Sequence, residues 1–244
     1  MKLETYLTPH SPENEEIFGG SLIVMIDVLR ASTTICVALH NGARELIPTD
    51  SLDKAVSIYS GLSRSSRFIG GERGGVKPSG FDAGNSPLEY TSEKVGERTV
   101  IFTTTNGTRI FQKAKLAKCR IVAGFVNVAA VNDFIISRIA NDDIDNVCIF
   151  CAGNSGRFSY EDTLCAGKII SDLANRSNFE LSDSSIASKD LYEMHKNSMN
   201  EFIKKCEHGN KLIELGFEND IDIALSCDTY PVVPVVSGSS IKKI

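Results

Sequence analysis

Six short apolar runs constrain the fold more than any other feature of this chain, because their hydrophobic residues are consecutive rather than alternating. Strands that are covered on both faces of a sheet have this pattern. The six runs span residues 21–26, 45–49, 67–70, 99–103, 119–124 and 146–150. Helix-like segments lie between and after them, at 32–42, 51–62, 107–117, 127–141 and 159–177. Strands that alternate with helices predict a three-layer α/β/α fold around a mostly parallel or mixed sheet.

The last third of the chain differs from the rest. A length of 244 residues fits one α/β domain that spans 1–244. Residues 177–190 are polar and predict an exposed connection, and residues 190–216 predict one long helix or two that break near "HGN". The region 177–217 therefore predicts a helical cap or lobe. Two prolines in "TYPVVPVVSG" (229–238) predict a strand at the edge of the sheet.

Composition excludes several classes of protein. Charged residues make up 23 % of the chain and hydrophobic residues 42 %, which is typical of a soluble globular protein. The formal net charge of -5 argues against nucleic acid as a partner, because that partner needs clustered Lys and Arg on a basic surface. The longest hydrophobic run, at 21–29, is short and interrupted by Asp27, so we expect no membrane span.

The cysteines and the N-terminus indicate a cytoplasmic location. Seven scattered cysteines, an odd number, fit free thiols in a reducing compartment better than a disulfide framework. The first residues contain no apolar leader segment. Cys148 and Cys151 have CxxC spacing, but a strand would point their two thiols to opposite faces of the sheet.

Polar loops follow four of the predicted strands. They are "DVLRAST", "GERGGVKPSGFDAGNSP", "TTNGTR" and "CAGNSGRFSYED". Ligands of open α/β sheets bind outside the carboxyl ends of the strands, so we expect these loops to converge on one crevice. Glycines beside small polar residues favour a cradle of backbone N–H groups for an anion. For any single loop, a tight turn is the simpler interpretation.

Charged side chains in these loops indicate the chemistry of the crevice. Arg30, Arg73 and Arg157 belong to three different loops, and a guanidinium matches the oxygens of phosphate or sulfonate. Carboxylates lie in the same loops, at Asp27, Glu72, Asp82 and Asp162. Acids beside an anion site need a bridging cation, and Mg²⁺ prefers oxygen ligands of this kind. The set predicts metal-assisted phosphoryl chemistry, most simply hydrolysis.

Three of these carboxylates also have a structural interpretation. Asp162 could cap a helix together with Ser159, Asp82 could hold a turn, and Glu72 could pair with the arginine that follows it. For Asp162 the cap and the site are equally favoured. Asp27 is the hardest to explain as structure, because a charge directly after "LIVMI" costs several kcal/mol if it is buried without a partner.

Established phosphate signatures fit this chain only in part. The P-loop pattern GxxxxGK[ST] is absent, and the haloacid dehalogenase pattern fails because Leu29 stands where its second Asp is needed. Cys151 and Arg157 have the CX5R spacing of cysteine phosphatases, in which a thiolate of low pKa attacks phosphorus. Phe150 and Phe158 stand where those enzymes have His and Ser or Thr. Thiolate catalysis is therefore the minority interpretation.

Four motifs together resemble one known family. "DVLRASTTI", "GGERGGVKPSGFDAGNSPLEY", "TTTNGT" and "AGNSGRFSYEDTLCAG" are similar to the 2-phosphosulfolactate phosphatase (ComB) family of coenzyme M biosynthesis. The resemblance covers residues 20 to about 170 and is weak in the tail. It implies Mg²⁺-dependent hydrolysis of 2-phospho-3-sulfolactate to 3-sulfolactate and phosphate, in an α/β/α fold of unusual topology. The reactive-site residues that it implies are Asp27, Arg30, Glu72, Asp82, Asn106, Arg157 and Asp162.

The loops and the resemblance together give these expectations for the site. The expected catalytic residues are Asp27, Arg30, Glu72 and Asp162. The expected substrate-binding residues are Arg73, Asn106, Gly107, Asn154 and Arg157. The expected Mg²⁺ ligands are Asp27, Glu72 and Asp82. The nucleophile stays open between a water molecule and the Asp27 carboxylate.

The arginines also bear on the partner. Three guanidinium groups exceed what one phosphate needs, which predicts a second anionic group on a small phosphorylated metabolite, a sulfonate or a carboxylate. A homodimer is compatible with the sequence. Two alternatives stay open: a phosphatase of another small phosphorylated acid, and a non-catalytic anion-binding protein. The surplus of carboxylates argues against the binding protein, because arginines and backbone amides alone would serve an anion better.

Overall fold

Ten strands form one sheet in the computed structural model of this protein, which describes residues 1–10, 15–104, 114–141 and 144–244. The strands are β1 (Lys2–Tyr6), β2 (Leu22–Ile26), β3 (Glu45–Thr49), β4 (Arg67–Gly71), β5 (Thr99–Thr103), β6 (Cys119–Ala123), β7 (Asn146–Cys151), β8 (Glu180–Leu181), β9 (Pro234–Ser237) and β10 (Ser240–Lys243). Their order across the sheet is β4-β5-β3-β10-β9-β6-β2-β7-β1-β8.

The sheet contains two groups of parallel strands that run in opposite directions. One group is β6-β2-β7-β1-β8, and the other is β4-β5-β3. The hairpin of β9 and β10 joins the groups through three antiparallel pairings, of β6 with β9, β9 with β10, and β10 with β3. The sheet is therefore mixed and mostly parallel, which confirms that part of the predicted fold class.

Nine α-helices are present in the described ranges. They are α1 (Ala31–His40), α2 (Leu52–Gly61), α3 (Ser92–Val95), α4 (Val128–Asn141), α5 (Tyr160–Ala174), α6 (Asp183–His195), α7 (Met199–Lys205), α8 (Glu207–Glu214) and α9 (Glu218–Ala224). None of them is long and apolar enough to cross a lipid bilayer.

Helices cover both faces of the sheet, and β2 shows why its sequence is apolar at every position. Leu22, Val24 and Ile26 belong to one side-chain cluster, which contains residues of α4 and α5. Ile23 and Met25 belong to a second cluster, which contains residues of α1. A strand with two buried faces has no position for a polar residue. The resulting three layers confirm the predicted α/β/α fold.

Helix α1 is buried against one face of the sheet. Every residue from Ala31 to Leu39 is buried, as expected of a helix whose side chains are small or apolar on all sides. One side-chain cluster joins α1 to both parallel groups, with Met25 of β2 and Phe102 of β5 among its members. Helix α1 therefore packs against strands of both parallel groups, although the two groups run in opposite directions.

The sequence predicted the first part of the fold well. All six predicted strands are present, each within one residue of its expected ends. Four of the five predicted helices correspond to α1, α2, α4 and α5. The predicted helix at 107–117 falls largely outside the described residues.

The tail departs from the prediction in three ways. The expected edge strand is wrong, because β9 is paired on both sides inside the sheet. Pro234 is tolerated there as its first residue, where a missing N–H costs little. The expected connection at 177–190 is wrong as well, because it contains β8 and the start of α6. Non-helical residues at 196–198 and at 206 separate the helices of this region. Helix α8 continues through "HGN", where we expected a break.

Candidate active site

A small polar cavity lies where the loops after β2, β4, β5 and β7 meet helix α8. This central cavity has a volume of about 110 Å³. It is lined by Asp27, Leu29, Arg30, Glu72, Gly74, Gly75, Asn85, Thr104, Asn154, Ser155, His208, Lys211, Leu212 and Leu215. The four loops converge as predicted, but the predicted reason is wrong. β4 and β5 run opposite to β2 and β7, so no common strand edge unites the loops.

Helix α1 positions the loop after β4. Thr34 Oγ1 donates a hydrogen bond to Asn85 O at 2.9 Å, and Asn41 Nδ2 donates one to Tyr90 O at 2.7 Å. The Tyr90 hydroxyl donates in turn to Gly84 O at 2.7 Å. Because α1 follows the β2 loop directly in the chain, these bonds hold the β4 loop beside the end of β2.

Asp27 is a buried carboxylate at the end of β2, with 6 % of its surface exposed. Its backbone is fixed, because Ser32 N donates to Asp27 O at 2.8 Å. Ala31 N donates to the carboxylate oxygen Oδ1 at 3.1 Å. Burial raises the pKa of Asp27 to about 6, and the nearby charges of Glu72 and Glu161 add to that rise. The hydrogen bond from Ala31 and the charge of His208 oppose it.

Two tight turns of the same kind line the cavity. In the β4 loop, Arg73 and Val76 exchange backbone hydrogen bonds of 3.0 and 3.2 Å around Gly74 and Gly75. In the β7 loop, Asn154 and Arg157 exchange bonds of 2.9 and 3.0 Å around Ser155 and Gly156. Both central residues of each turn have positive φ, as type I′ turns require. These glycines therefore serve turns, the simpler of the two interpretations.

Glu72 closes the first of these turns. Its Oε2 atom accepts a hydrogen bond of 2.7 Å from Gly75 N, and its own N–H donates to Thr103 O at 2.9 Å. The Gly75 amide is thus bonded to the protein rather than presented to an anion. Glu72 is 7 % exposed and lines the cavity. Asp27 and Glu72 are therefore two buried carboxylates that line the same small cavity.

Arg30 is the buried cation of the cavity. Its Nη1 atom donates to Asp220 Oδ2 at 2.6 Å, and both side chains are almost fully buried. Its guanidinium lies 4.2 Å from the centroid of the Phe217 ring, and Nη2 donates to Gly75 O at 3.3 Å. Ser86 Oγ donates to the other oxygen of Asp220 at 2.6 Å. The guanidinium is therefore held in one orientation at the cavity wall.

His208 of α8 lies at the cavity wall against a buried acid. Its Nδ1 atom is 2.6 Å from Glu161 Oε1, in the first turn of α5. Burial alone would lower the pKa of His208. The hydrogen bond and charge of Glu161, with the charges of Asp27 and Asp162, outweigh burial and raise that pKa. Glu161 thus stabilises the protonated form of His208 relative to a histidine in water.

A second cavity adjoins the first. This side cavity has a volume of about 190 Å³ and shares Asn154 and His208 with the central cavity. Its lining residues are Asn154, Arg157, Phe158, Ser159, Tyr160, Glu161, Cys206, Glu207 and His208. Arg157, which we predicted for substrate binding, lines this side cavity and not the central one.

Three predicted site residues line neither cavity, and two of them, Asp82 and Arg73, belong to the β4 loop. Asp82 is exposed, and its Oδ2 atom accepts a hydrogen bond of 2.9 Å from Ile69 N. It holds the β4 loop, which is the turn role considered for it, and it does not face Asp27. The Arg73 guanidinium donates to Thr103 Oγ1 at 2.7 Å and to Glu72 O at 2.8 Å. These contacts direct Arg73 away from the cavity.

Asp162 is buried but connects two loops instead of facing the cavity. Its two oxygens accept hydrogen bonds from Val28 N at 2.8 Å and from Gly153 N at 2.9 Å. Burial raises its pKa, with the charges of Glu161 and Asp27 adding to the rise. The capping pair with Ser159 is not formed. Asp162 therefore positions the β2 and β7 loops, a role that neither interpretation anticipated.

Three other residues were predicted to bind the substrate. Two of them, Asn106 and Gly107, lie outside the described residues. The third, Asn154, lines both cavities.

All seven cysteines are free, and Cys148 and Cys151 belong to clusters on opposite faces of β7, as predicted. Cys151 is fully buried and lines neither cavity, and burial raises the pKa of its thiol. These properties disfavour a thiolate nucleophile.

Comparison with known proteins decides the family. The model of the 2-phosphosulpholactate phosphatase family matches residues 6–239, which is nearly the whole chain. The chain belongs to the 2-phosphosulfolactate phosphatase family. Membership makes it a phosphatase, a hydrolase of phosphoric monoesters. The match includes the tail, where the motifs of this family are weakest in the sequence.

Relatives of the family from three bacteria are similar along almost their full length. A probable 2-phosphosulfolactate phosphatase of Caldanaerobacter subterraneus subsp. tengcongensis is 38 % identical over 242 residues, 99 % of this chain and 98 % of the relative. One of Thermotoga maritima is 39 % identical over 221 residues, 90 % and 91 % of the two chains. One of Caldicellulosiruptor saccharolyticus is 38 % identical and covers both chains fully.

The donors of the central cavity fit the Mg²⁺ that the family resemblance implies. Asp27 and Glu72 supply carboxylate oxygens, and burial raises the pKa of Asp27 to about 6 because the hydrogen bond from Ala31 and the charge of His208 offset it only in part. Asn85 Oδ1 is buried and has no hydrogen-bond partner in the described part of the chain, and Asn85 lines the same cavity. No group of three His, Cys, Asp or Glu with metal-binding geometry occurs among the described residues. Mg²⁺ does not need a group of three such side chains, because proteins commonly bind it through one or two carboxylates together with water and phosphate oxygens.

Several residues of this family member were missed in the sequence. His208, Lys211 and Asp220 lie in the tail, where helical periodicity gives no sign of a site. Glu161 had a signal, because it stands beside Asp162 in the first turn of a predicted helix. Asn85 had one too, because it belongs to the glycine-rich β4 loop.

Proposed function

We propose that this phosphatase hydrolyses 2-phospho-3-sulfolactate to 3-sulfolactate and phosphate with the help of Mg²⁺. One observation carries the proposal: two buried carboxylates, Asp27 and Glu72, share a small cavity with the buried cation Arg30. Buried acids facing each other are unfavourable unless a cation joins them. Such a pair is what a metal-dependent phosphoryl site requires. The names of the relatives support the substrate.

Binding of the phosphate falls to the cations of the central cavity. Among the described residues that line it, Arg30 and Lys211 are basic besides His208. The ion pair with Asp220 leaves Arg30 oriented rather than free, so its charge is in place before the substrate arrives. Asp27 and Glu72 would hold Mg²⁺, which when bound polarises the phosphoryl group and neutralises its charge.

The reaction itself needs a nucleophile and a proton for the leaving oxygen. Asp27 either orients the attacking water or attacks phosphorus itself, in which case a water molecule then hydrolyses the aspartyl phosphate, releases inorganic phosphate and restores the carboxylate. Ala31 N fixes its Oδ1 atom for either task. When the bond between phosphorus and the ester oxygen breaks, that oxygen becomes a hydroxyl and requires a proton. His208, whose raised pKa favours the protonated form, is the residue of the cavity that we assign to supply it.

The experiment is release of inorganic phosphate by the purified chain from a panel of phosphomonoesters. The panel contains 2-phospho-3-sulfolactate, 2-phospholactate and glycerol 2-phosphate, each measured with Mg²⁺ and with excess chelator. We expect the highest kcat/KM on the first compound and loss of activity with chelator. Full activity with chelator would exclude the metal, and a preference for 2-phospholactate would support the alternative of another phosphorylated acid. Binding without phosphate release would support the anion-binding alternative.

Three further expectations stay predictions. They are the role in coenzyme M biosynthesis that the resemblance implies, the cytoplasmic location, and a homodimer. The single domain over 1–244 with a cap around 177–217 also stays a prediction. Its support is that α8 contributes His208 and Lys211 to the cavity wall.

A further inference from the structure

The side cavity contains a polar group for which the described part of the chain supplies no partner. Ser159 is 5 % exposed and lines this cavity, and its hydroxyl has no hydrogen-bond partner among the described residues. A buried hydroxyl without a partner is unfavourable, so such groups are uncommon in native structures, and one that lines a cavity is available to bond a molecule bound there. The residue occupies the N-cap of α5, where a serine side chain normally bonds to the first turn of the helix. Here it makes no such bond.

The surroundings of Ser159 suit an anion. Helix α5 has 15 residues, and its N-terminus carries partial positive charge together with backbone N–H groups that lack partners within the helix. Arg157 lines the same cavity two positions earlier. A hydroxyl, a helix N-terminus and a guanidinium form a common binding arrangement for an oxyanion.

The acids of the side cavity are already paired. Glu161 bonds to His208 at 2.6 Å, and Glu207 bonds to Arg157 at 2.5 Å. The Arg157–Glu207 pair is exposed, with side chains 67 % and 69 % accessible. Exposed ion pairs of this kind contribute little to stability, so an anionic ligand can displace Glu207 from Arg157.

We propose that the side cavity binds the second acidic group of the substrate, its sulfonate or carboxylate, through Ser159 Oγ and Arg157. This inference rests on the proposed function, in which the phosphate occupies the central cavity. Asn154 and His208 line both cavities, so one small molecule can reach from the first to the second. The side cavity then selects doubly acidic phosphomonoesters over simple ones.

Two substitutions with opposite expected effects test this subsite. Ser159→Ala should lower kcat/KM for 2-phospho-3-sulfolactate about 10-fold, because one hydrogen bond to a charged group is lost. It should not lower the melting temperature, because the hydroxyl is unpartnered. Glu207→Gln should raise kcat/KM about 2- to 5-fold by releasing Arg157. Glu214→Gln, on the same helix and bonded to Asn210, is the matched control and should have no effect.

The substrate panel separates the outcomes. Loss in Ser159→Ala on 2-phospho-3-sulfolactate alone assigns the sulfonate to the side cavity, and loss on 2-phospholactate as well assigns the carboxylate. Equal loss on glycerol 2-phosphate, no loss at all, or a lower melting temperature would overturn the subsite. Calorimetric binding of 3-sulfolactate, weakened about 10-fold by Ser159→Ala, tests it without catalysis. If that binding holds but no phosphomonoester is hydrolysed, the proposed function fails and the subsite stands.

Discussion

Arg30 and Asp220 form a buried ion pair 190 residues apart in the sequence, with Nη1 2.6 Å from Oδ2. The pair joins the loop after β2 to helix α9. Ser86 donates to the second oxygen of Asp220, so the same acid also ties down the β4 loop. The orientation of the cavity's buried cation thus depends on a residue in the tail of the chain.

Removal of the acid should destabilise the protein strongly. Asp220→Ala leaves the Arg30 guanidinium buried without its counter-charge, and we expect the free energy of unfolding to fall by about 3–5 kcal/mol. Chemical denaturation measures this change. Glu207→Gln breaks the exposed pair with Arg157 and should have a far smaller effect. Equal effects of the two substitutions would show that burial of the Arg30–Asp220 pair is unimportant.

Asp27 should lower the stability of the metal-free protein. Its pKa of about 6 lies above the ordinary value of 3.8, so between these pH values the folded state binds more protons than the unfolded state. Stability therefore falls as the pH rises through this window. Asp27→Asn should be more stable than the parent at pH 7.5, by about 3 kcal/mol, and the gain should vanish near pH 4.

Denaturation at a series of pH values, with chelator present, measures that difference. Addition of Mg²⁺ should raise the stability of the parent and leave that of Asp27→Asn nearly unchanged, because the variant lacks one of the two carboxylates that we propose as metal ligands. If metal-free Asp27→Asn is less stable than the parent at pH 7.5, the claim that the buried Asp27 charge destabilises the metal-free protein is contradicted.

The fold was predictable where the chemistry is local. Continuous apolar runs located six strands within one residue, because a strand buried on both faces leaves no polar position. β9 could not be placed, because the position of a strand within a sheet depends on distant partners, here β6 and β10. The reversal between the two parallel groups arises from that same hairpin, and no local pattern encodes it.

The site was predictable in its loops and not in its tail. Asp27, Arg30, Glu72 and Asn154 line the central cavity as the loop motifs indicated, and their roles stay predictions. Arg73, Asp82 and Asp162 belong to the same motifs but bond to the backbone or to loop residues. A motif reports that a polar residue is needed at a turn, and it does not report which way the side chain points. Tail residues such as His208 reach the cavity only through tertiary packing.

The contact between His208 and Glu161 should be visible by titration. In metal-free protein we expect NMR to show a His208 pKa above the ordinary 6.5, and Glu161→Gln should lower it. Burial alone depresses a histidine pKa, so removing the carboxylate removes the opposing effect. The chain has four histidines, and the other three serve as internal controls. If Glu161→Gln leaves the pKa of His208 unchanged, the Glu161 carboxylate does not raise that pKa and the proposed contact is contradicted.

Cys151 should be dispensable. Its thiol is fully buried outside both cavities, so Cys151→Ser and Cys151→Ala should retain most of the phosphatase activity. Brief treatment of the parent with iodoacetamide should leave activity intact for the same reason. If both variants fold normally and both are inactive, a thiolate nucleophile of the CX5R type must replace the account based on Asp27.

The kinetic effect of Asp27→Asn tests the central claim most directly. The quantity is kcat/KM for phosphate release from 2-phospho-3-sulfolactate in the presence of Mg²⁺. Asp27→Asn should lower it at least about 100-fold, since a lost metal ligand or nucleophile costs about 3 kcal/mol or more. Asp82→Asn, whose carboxylate lies outside the cavity, should stay within a few fold of the parent. An Asp27→Asn protein as active as the parent would contradict the account.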